Sequence, residues 1–225
     1  MKTTYYGHSC FELSFGQTVL LFDPFISPNK LASHINIKSL QPNYILLSHG
    51  HEDHLADLFA IHENSAATVI CIAEIAYWLQ KKDITNVHGM NIGGAYQFDF
   101  GKVKMVNAVH SSSLPDGSYA GNPAGFIVYA DGLKIYFAGD TALTYDMKLL
   151  ATESLDYAFL PIGDNFTMGI EDAITASNFI NCKNIIGMHY NTFPPIQINE
   201  QEAMQKFEQA GLNLSLLPIG NTMDL

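Results

Sequence analysis

Short apolar stretches separated by tight turns dominate the first part of the chain. Residues 10–15 (CFELSF) and 18–23 (TVLLFD) flank Gly16-Gln17, a pattern typical of a β-hairpin. Residues 44–47 (YILL) form a short, wholly apolar run, as in a strand that is buried on both faces. These patterns predict that the chain begins by building a β-sheet.

A second hairpin is predicted near the middle of the chain. Residues 125–130 and 133–140 flank Asp131-Gly132, a pair that favours the type I′ turn of a two-residue hairpin loop. Further strands are predicted from short apolar runs at 103–109, 156–162 and 185–188. Helical composition appears at 73–82, 171–181 and 199–210, the last with Asn199 and Glu202 in capping-box spacing and Gly211 as the stop.

The two halves of the chain follow the same order of elements. Each has a hairpin that ends in an aspartate, at Asp23 and Asp140, and each continues into a Tyr-led apolar strand. Two β-rich halves that pack together with helices outside indicate the α/β class and a four-layer αβ/βα sandwich. Identity between the halves is weak, so duplication of one ancestral half and independent origin both stay open.

Composition and charge narrow the class of protein. The chain has 225 residues, of which 48% are apolar, and this predicts a single domain over residues 1–225 with a large core. The formal charge of −11 disfavours nucleic acid as a partner. A small substrate, an anionic one included, stays compatible with that charge, because bound metal cations would reverse the local field.

Cysteine spacing and the lengths of apolar runs bear on the compartment of the protein and on its partners. The cysteines Cys10, Cys71 and Cys182 form no CxxC pair, so neither a disulfide framework nor a thiolate zinc site is indicated, and we expect core thiols. No secretory h-region and no run approaching about 20 apolar residues is present. We expect a cytoplasmic protein with no membrane partner, and homo-oligomerisation is left open.

The segment Ser48-His49-Gly50-His51-Glu52-Asp53-His54 carries the candidate chemistry. It directly follows the predicted strand at 44–47 and holds imidazoles, which suit zinc and related metals, beside a carboxylate. Residues two apart in an extended segment project to the same side, so His49 and His51 can share one ion. The alternative is a solvated polar loop, which fits a lone histidine better than it fits this cluster.

Three further candidate ligands stand where later predicted strands end: His110, Asp140 and His189. Each alone is more often structural than functional. Sites in open α/β folds collect at strand ends, however, so these positions can converge with the first cluster.

The sequence resembles the metallo-β-lactamase fold superfamily. The motif HxHxDH is present as His49, His51, Asp53 and His54, and the later His, Asp and His match as His110, Asp140 and His189. The segments GHSCF, FDPF, PIGDNFTMGIEDA and HYNTFPP resemble a branch of small bacterial and archaeal metal-dependent hydrolases that is similar to the ascorbate-6-phosphate lactonase group. The resemblance covers nearly the whole chain, but it supplies no substrate.

This resemblance implies a metallo-β-lactamase-type sandwich with two divalent ions per chain. One ion would be held by His49, His51 and His110, the other by Asp53, His54 and His189, and Asp140 would bridge them. Zinc is the expected metal, with manganese, iron and nickel as alternatives. Two ions that share a water lower its pKa toward neutrality, and Asp53 could orient that water or accept its proton.

Residues around the site are assigned with their alternatives. Asp23 is expected to support a metal-bound histidine, and a plain turn residue before Pro24 is the alternative. Hairpin geometry brings His8 to the rim of the site, either as a catalytic hydrogen-bond donor or proton shuttle, or as support for Asp23.

Surface positions are expected for His34, His62 and His88. Residues 164–167 either cap the next helix or offer backbone N–H groups to an anionic substrate.

The favoured function is a metal-dependent hydrolase of a small ester, lactone or phosphoester. Antibiotic hydrolysis is disfavoured, because Asp140 stands where several β-lactamases have cysteine. Within enzymes the alternative is a phosphodiesterase or nuclease, although basic stretches are limited to pairs such as Lys81-Lys82. A redox or oxygen-handling iron protein on this scaffold would need a flavin partner domain or an iron-selective site. The remaining alternative is a non-hydrolytic metal-binding or regulatory protein.

Overall fold

The first of two sheets is built mainly from the N-terminal half of the chain. The computed structural model describes residues 1–225. This seven-stranded sheet has the order β14-β1-β2-β3-β4-β5-β6. Its strands are β1 (Lys2–Gly7), β2 (Cys10–Phe15), β3 (Thr18–Phe22), β4 (Tyr44–Leu46), β5 (Thr68–Ile72), β6 (Val87–Met90) and β14 (Thr222–Asp224).

The second sheet also has seven strands, in the order β13-β12-β11-β10-β9-β8-β7. Its strands are β7 (Ala95–Phe98), β8 (Gly101–Asn107), β9 (Ala124–Ala130), β10 (Leu133–Phe137), β11 (Tyr157–Pro161), β12 (Asn184–Met188) and β13 (Asn213–Ser215). In both sheets an antiparallel meander passes into parallel strands, at β3–β4 in the first and at β10–β11 in the second. This shared topology is what the likeness between the two halves predicted.

The sheets pack face to face, and helices cover their outer sides. Phe22 stacks on Phe137 with ring centroids 4.6 Å apart, and Phe11 meets Phe159 edge-on at 4.9 Å. This arrangement is the predicted four-layer αβ/βα sandwich, held by one continuous apolar core. The α-helices are α1 (Glu52–Leu55), α2 (Leu58–Ser65), α3 (Ala73–Gln80), α4 (Ile170–Phe179) and α5 (Glu200–Gln209), and 3₁₀ turns lie at Lys30–Ala32, Ile37–Ser39, Tyr145–Glu153 and Pro194–Ile196.

Local sequence signals set several of these elements. Asp131 and Gly132 both have positive φ, 52° and 78°, as the type I′ turn between β9 and β10 requires. Asn199 caps α5, since its side chain accepts a hydrogen bond from the N–H of Glu202 at 3.2 Å. The helix ends before Gly211, whose φ is 73°.

Strand ends differ from the predicted bounds near the candidate ligands. The strands predicted to reach Asp23 and Asp140 end at Phe22 and Phe137, and the one predicted at 103–109 ends at Asn107. Left-handed backbone at Asp23 itself (φ 41°) and at Gly139 (φ 62°), which precedes Asp140, turns the chain out of the sheet. The other predicted strands and helices differ from the observed bounds by one or two residues at an end, where capping and fraying set the limit.

Two other expectations concern side chains away from the site. His34 is exposed as predicted, but His62 and His88 are half-buried, and the His88 ring packs against Tyr96 at 4.2 Å. The prediction of a surface position for these two is therefore wrong, because packing buries part of each ring. All three cysteines are free and buried, as expected.

The topology gathers strand ends at one place. Because β3, β4 and β5 are parallel, as are β10, β11 and β12, their carboxyl ends lie at the same edge of the sandwich. None of the helices combines the length and apolar composition that a membrane crossing requires.

Candidate metal centre

The predicted ligand residues come together from separate parts of the chain. His49 and His51 follow β4, Asp53 and His54 lie in the short helix α1, and the remaining three follow strands of the second sheet: His110 after β8, Asp140 after β10 and His189 after β12. The cluster therefore spans the two sheets at the shared edge.

One group of three histidines could hold a metal ion. His49, His51 and His110 each offer a ring nitrogen, and these atoms lie within 4.8 Å of one another. The Nε2 of His49 is 3.0 Å from the Nδ1 of His51. His49 is buried, whereas the other two are half-buried and reach the pocket described below.

A second group lies beside the first. Asp53, His54 and His189 offer ligand atoms within 4.8 Å of one another, and His8 belongs to the same group. Asp53 is half-buried, whereas the three histidines are buried. A third group of Asp23, His49 and His54 overlaps both, so the candidate centre is continuous.

Asp140 lies between the two groups. Its Oδ2 is 3.0 Å from the Nε2 of His189, 3.4 Å from that of His54 and 3.6 Å from that of His110. One carboxylate oxygen thus approaches side chains from both groups, as a bridging ligand must.

Unsatisfied polar atoms test whether these residues fit a metal. The Nε2 of His54, the Oδ1 of Asp140 and the Nδ1 of His189 are buried and have no hydrogen-bond partner. Buried polar atoms are normally hydrogen-bonded or bound to a metal, so atoms without a hydrogen-bond partner that cluster in one place fit a cation-binding site. The donor set of imidazoles and carboxylates suits a divalent transition metal.

The electrostatics of the cluster also favour a cation. Burial alone would lower the pKa of His54, but Asp140 and Asp23 outweigh it and hold that pKa well above its usual value. Burial raises the pKa of Asp140, yet His189 and His54 lower it well below its usual range. Carboxylates that stabilise a proton on His54 would equally stabilise a metal cation at its Nε2.

Asp23 fixes two of the candidate ligands through hydrogen bonds. Its Oδ2 accepts from the Nδ1–H of His54 at 2.8 Å and from the hydroxyl of Ser48 at 2.6 Å, and its Oδ1 accepts from the N–H of Ser48 at 2.8 Å. Since Ser48 gives its proton to Asp23, its oxygen accepts from the Nδ1–H of His49 at 2.9 Å. Both imidazoles are thereby protonated at Nδ1, which leaves Nε2 as the ligand atom.

His8 is buried more deeply than is expected of a group that faces the substrate. Its side chain is fully buried, with Nε2 3.2 Å from the Oδ2 of Asp53 and Nδ1 3.0 Å from the Oγ1 of Thr192. Burial and the neighbouring His189 lower the pKa of His8 to about 4. The neutral ring donates from Nε2 to Asp53 and accepts the Thr192 hydroxyl proton at Nδ1. His8 therefore reaches the pocket through Asp53, which departs from the expected direct contact.

The ionisation of Asp53 reflects this contact. Burial raises the pKa of Asp53, but the hydrogen bond from His8 and the charge of His54 outweigh it, so that the net pKa falls below its usual value. A carboxylate held ionised in this way can bind a cation and accept a hydrogen bond from a water.

Unusual backbone geometry presents several of these side chains. His8, Asp23 and His189 all have positive φ, at 57°, 41° and 55°. Such conformations cost a non-glycine residue about 1–2 kcal/mol each, and they cluster at functional sites. The sequence carried no signal for them, because histidine and aspartate enter this region only in particular contexts.

Close packing explains two glycines. A Cβ at Gly50 would collide with the Cβ of Ala120 and lie 3.1 Å from the carbonyl oxygen of Ser113. A Cβ at Gly139 would lie 2.7 Å from the Cβ of Ser48, besides requiring its positive φ. The loop after β8 can therefore approach the segment between His49 and His51 closely.

A pocket of about 270 Å³ opens onto the cluster. Sequence reasoning missed Ser111 and Phe193 as lining residues, and it considered Phe166 only within residues 164–167, for backbone N–H groups and not for its ring. The complete lining consists of His51, Asp53, His110, Ser111, Asp140, Phe166, His189 and Phe193.

Residues 164–167 do not present free amides to this pocket. The N–H of Asp164 donates to the carbonyl of Met168, that of Asn165 to the Oδ1 of Asp164, and that of Phe166 to the carbonyl of Asp164. The N–H of Met168 donates to the carbonyl of Thr141. The loop satisfies its own donors, and α4 has no side-chain cap.

Comparison with known proteins identifies the family to which the chain is similar. The family described as the beta-lactamase superfamily domain matches residues 18–190 of the chain. This span contains all seven predicted ligands, although not His8.

Similar proteins extend over the full length of the chain. A protein of Flavobacterium johnsoniae, named UPF0173 metal-dependent hydrolase, is 50% identical over 226 residues and covers 100% of both chains. A protein of Christiangramia forsetii with the same name is 51% identical over 227 residues with the same coverage. A solved structure described as a novel metallo hydrolase from the hyperthermophilic archaeon Ignicoccus hospitalis is 33% identical with a TM-score of 0.89, covering 100% of this chain and 98% of its own.

Proposed function

Because the chain belongs to the beta-lactamase superfamily and is a metal-dependent hydrolase, we propose that it holds two divalent ions and hydrolyses a small ester, lactone or phosphoester. The observation that carries this proposal is the pair of ligand groups with the Oδ2 of Asp140 between them. Two adjacent groups of this kind, joined by one carboxylate, match a site for two ions better than a site for one.

The ligands divide between the two ions. His49, His51 and His110 would hold one ion, Asp53, His54 and His189 would hold the other, and Asp140 would be shared. The spacing of the ring nitrogens and the orphaned atoms of His54 and Asp140 support this assignment. A set of five histidines and two aspartates favours zinc, with manganese, iron and nickel as alternatives.

When bound, the ions would supply a water of lowered pKa and a Lewis acid for the substrate oxygen. The chain's own residues set the conditions for that chemistry. Asp53 lines the pocket as an ionised carboxylate, and we assign it as the catalytic residue that orients the water by accepting a hydrogen bond from it. His8 is a positioning residue, because its Nε2–H donates to Asp53 at 3.2 Å and its side chain does not line the pocket.

Asp23 completes the support of the site. Through Ser48 it sets the tautomer of His49, and it sets that of His54 directly, so both rings keep Nε2 for the ions. Burial of these groups also excludes water, which strengthens every charge interaction among them.

We extend the proposal to partners and compartment. A pocket of about 270 Å³ and a formal charge of −11 support a small-molecule substrate and argue against nucleic acid or a membrane surface. Three free, buried cysteines agree with a reducing cytoplasm. Assembly into homo-oligomers stays compatible with this function.

Metal content of matched variants tests the proposal. Protein reconstituted with zinc and then dialysed is expected to retain two ions per chain by elemental analysis. His51→Ala and Asp53→Ala, one from each ligand group, are each expected to retain about one tightly bound ion. Asp53→Ala is also expected to lower hydrolysis of a responsive ester by at least about a hundredfold.

His34→Ala is the matched control, because this histidine is exposed and outside the cluster. It is expected to keep both ions and full activity. A wild-type content of zero after reconstitution with zinc, manganese and iron would refute the metal centre. A content of one ion, lost from both variants alike, would refute the division into two sites.

A further inference from the structure

The wall of this pocket contains aromatic side chains and no lysine or arginine. Phe166 and Phe193 line the pocket beside the candidate ligands. The 11 cationic residues of the chain are all lysines, and none of them lines the pocket. Enzymes that recognise phosphate or carboxylate groups normally use arginine or lysine for that purpose, and arginine does not occur in this sequence.

The side chain of Phe193 packs against two other rings. Its ring meets that of His8 edge-on, with centroids 5.3 Å apart, and lies 6.1 Å from that of Phe25. The preceding residue, Thr192, is hydrogen-bonded to His8 at 3.0 Å. The ring is therefore a fixed part of the wall, because both its neighbours and its backbone are anchored.

Phe166 is fixed by its backbone and open at its ring. The two residues before it, Asp164 and Asn165, have φ of 62° and 58°, and its own N–H donates to the carbonyl of Asp164 at 2.6 Å. The loop is tied to Thr141, the neighbour of Asp140, by the N–H of Met168 at 3.1 Å. Even so, 54% of Phe166 is exposed.

An exposed ring on a rigid loop at a pocket mouth is apolar surface that a ligand can cover. Covering it is favourable in proportion to the apolar area removed from water, and the loop needs no reordering. The same loop offers no free amide between residues 164 and 166 to an anion, since each N–H is already engaged. The aromatic wall thus attracts apolar groups, and outside the metal centre the lining offers an anion only the uncharged hydroxyl of Ser111 and no charged partner.

Resting on the proposed hydrolytic function, we infer that the pocket takes a small uncharged ester or lactone whose apolar substituent packs against Phe166 and Phe193. Phosphorylated or carboxylated analogues are poor substrates, because their charged group meets aromatic rings and carboxylates and must give up its hydration. Phe166 and Phe193 are the residues that determine this specificity.

Matched ester pairs test the inference by kinetics. For zinc-reconstituted protein, kcat/KM is expected to be at least tenfold higher for 4-nitrophenyl butyrate than for the mono-4-nitrophenyl ester of succinate or for 4-nitrophenyl phosphate. Phe166→Ala and Phe193→Ala are each expected to lower the value for the butyrate about tenfold and to leave the succinate ester nearly unchanged. The control Tyr77→Ala removes an aromatic residue that is 63% exposed but lies outside the pocket, and it is expected to change neither.

Binding of uncleavable analogues separates this inference from the catalytic proposal. By calorimetry, the zinc-loaded protein is expected to bind N-phenylbutanamide at least tenfold more tightly than the anilide of succinic acid, and Phe166→Ala is expected to abolish most of that preference. Preference for the charged anilide, or equal losses for both ligands in the variants, would overturn the inference. If the preference holds but no ester is hydrolysed with any metal, the proposed function fails and the specificity of the pocket stands.

Discussion

At the scale of single residues, a few buried hydrogen bonds determine which ring nitrogen of a histidine is left to bind a metal ion. Asp23 never reaches the pocket, yet it sets the protonated nitrogen of two histidines through Ser48 and through its own contact with His54. The gathering of the candidate ligands could be predicted from the sequence, because metal-type side chains are dense in one segment and recur after strands. Their supports could not, since a serine or a turn aspartate has no distinctive spacing.

His8 offers a test of how the site is oriented. His8→Ala removes the donor to Asp53 and leaves the Thr192 hydroxyl without its acceptor, so retention of the ion near Asp53 or kcat should fall about 10–100-fold. His8→Gln keeps an N–H that can donate to Asp53, and we expect it to recover much of the loss while KM changes little. Elemental analysis after dialysis and steady-state kinetics measure both effects.

The conservative variant decides between positioning and packing. If His8→Gln and His8→Ala lose activity equally and in step with their melting temperatures, His8 acts only in packing. Retention of activity by His8→Ala would also contradict the assigned role.

At the scale of elements, the strand ends and the loops between them build the site. The hairpins and the apolar strands β4, β11 and β12 were predictable, because their side chains are buried and their turns carry local signals. The strands β1, β5, β6, β7, β13 and β14 were not predicted. Edge strands such as β7 are mostly exposed, and β1 pairs with β14 from the other end of the chain, so no local pattern reveals them.

Close approach of the loop after β8 to Gly50 gives a prediction at this scale. Gly50→Ala places a methyl group against Ala120 and should destabilise the protein by about 1–3 kcal/mol in denaturant unfolding. Loss of zinc should accompany it, because His49 and His51 flank the glycine. Adding Ala120→Gly removes the opposing methyl and should restore part of the stability.

A double-mutant cycle measures this contact. We expect a coupling of at least about 0.5 kcal/mol between the two positions, as for residues in direct contact. Strictly additive effects would mean that the collision with Ala120 is relieved by other movements and that the loop is not fixed by this contact.

At the scale of the whole molecule, a strongly acidic chain folds around a buried cluster of candidate metal ligands. The fold class followed from the alternation of short strands and helices and from the likeness of the two halves. The aromatic pocket wall did not, because Phe166 and Phe193 lie in loops that only the packed sandwich brings together. A sequence pattern can therefore identify the chemistry while leaving the substrate-binding surface undefined.

Removal of metal should lower the stability of the entire domain. Ions that bind only the folded chain stabilise it by about 2.7 kcal/mol at a free concentration of 100 Kd, which corresponds to roughly 5–10 °C in Tm for a chain of this size. We expect a chelator to lower the melting temperature of zinc-loaded wild-type protein accordingly. The double variant His51→Ala with Asp53→Ala should show little response, and an unchanged Tm in wild-type protein proved metal-free would contradict the coupling.

Because His8 contacts residues near β12, the site can be completed only late in the synthesis of the chain. His8 and Thr192 are separated by 184 positions, and the first strand also pairs with Thr222. At about 5–20 residues per second, roughly 10–40 s pass between synthesis of the two partners on a ribosome. During that interval His49, His51, Asp53 and His54 already exist without His189, so under the proposed ligand assignment the nascent chain could bind metal only incompletely until the second sheet has formed.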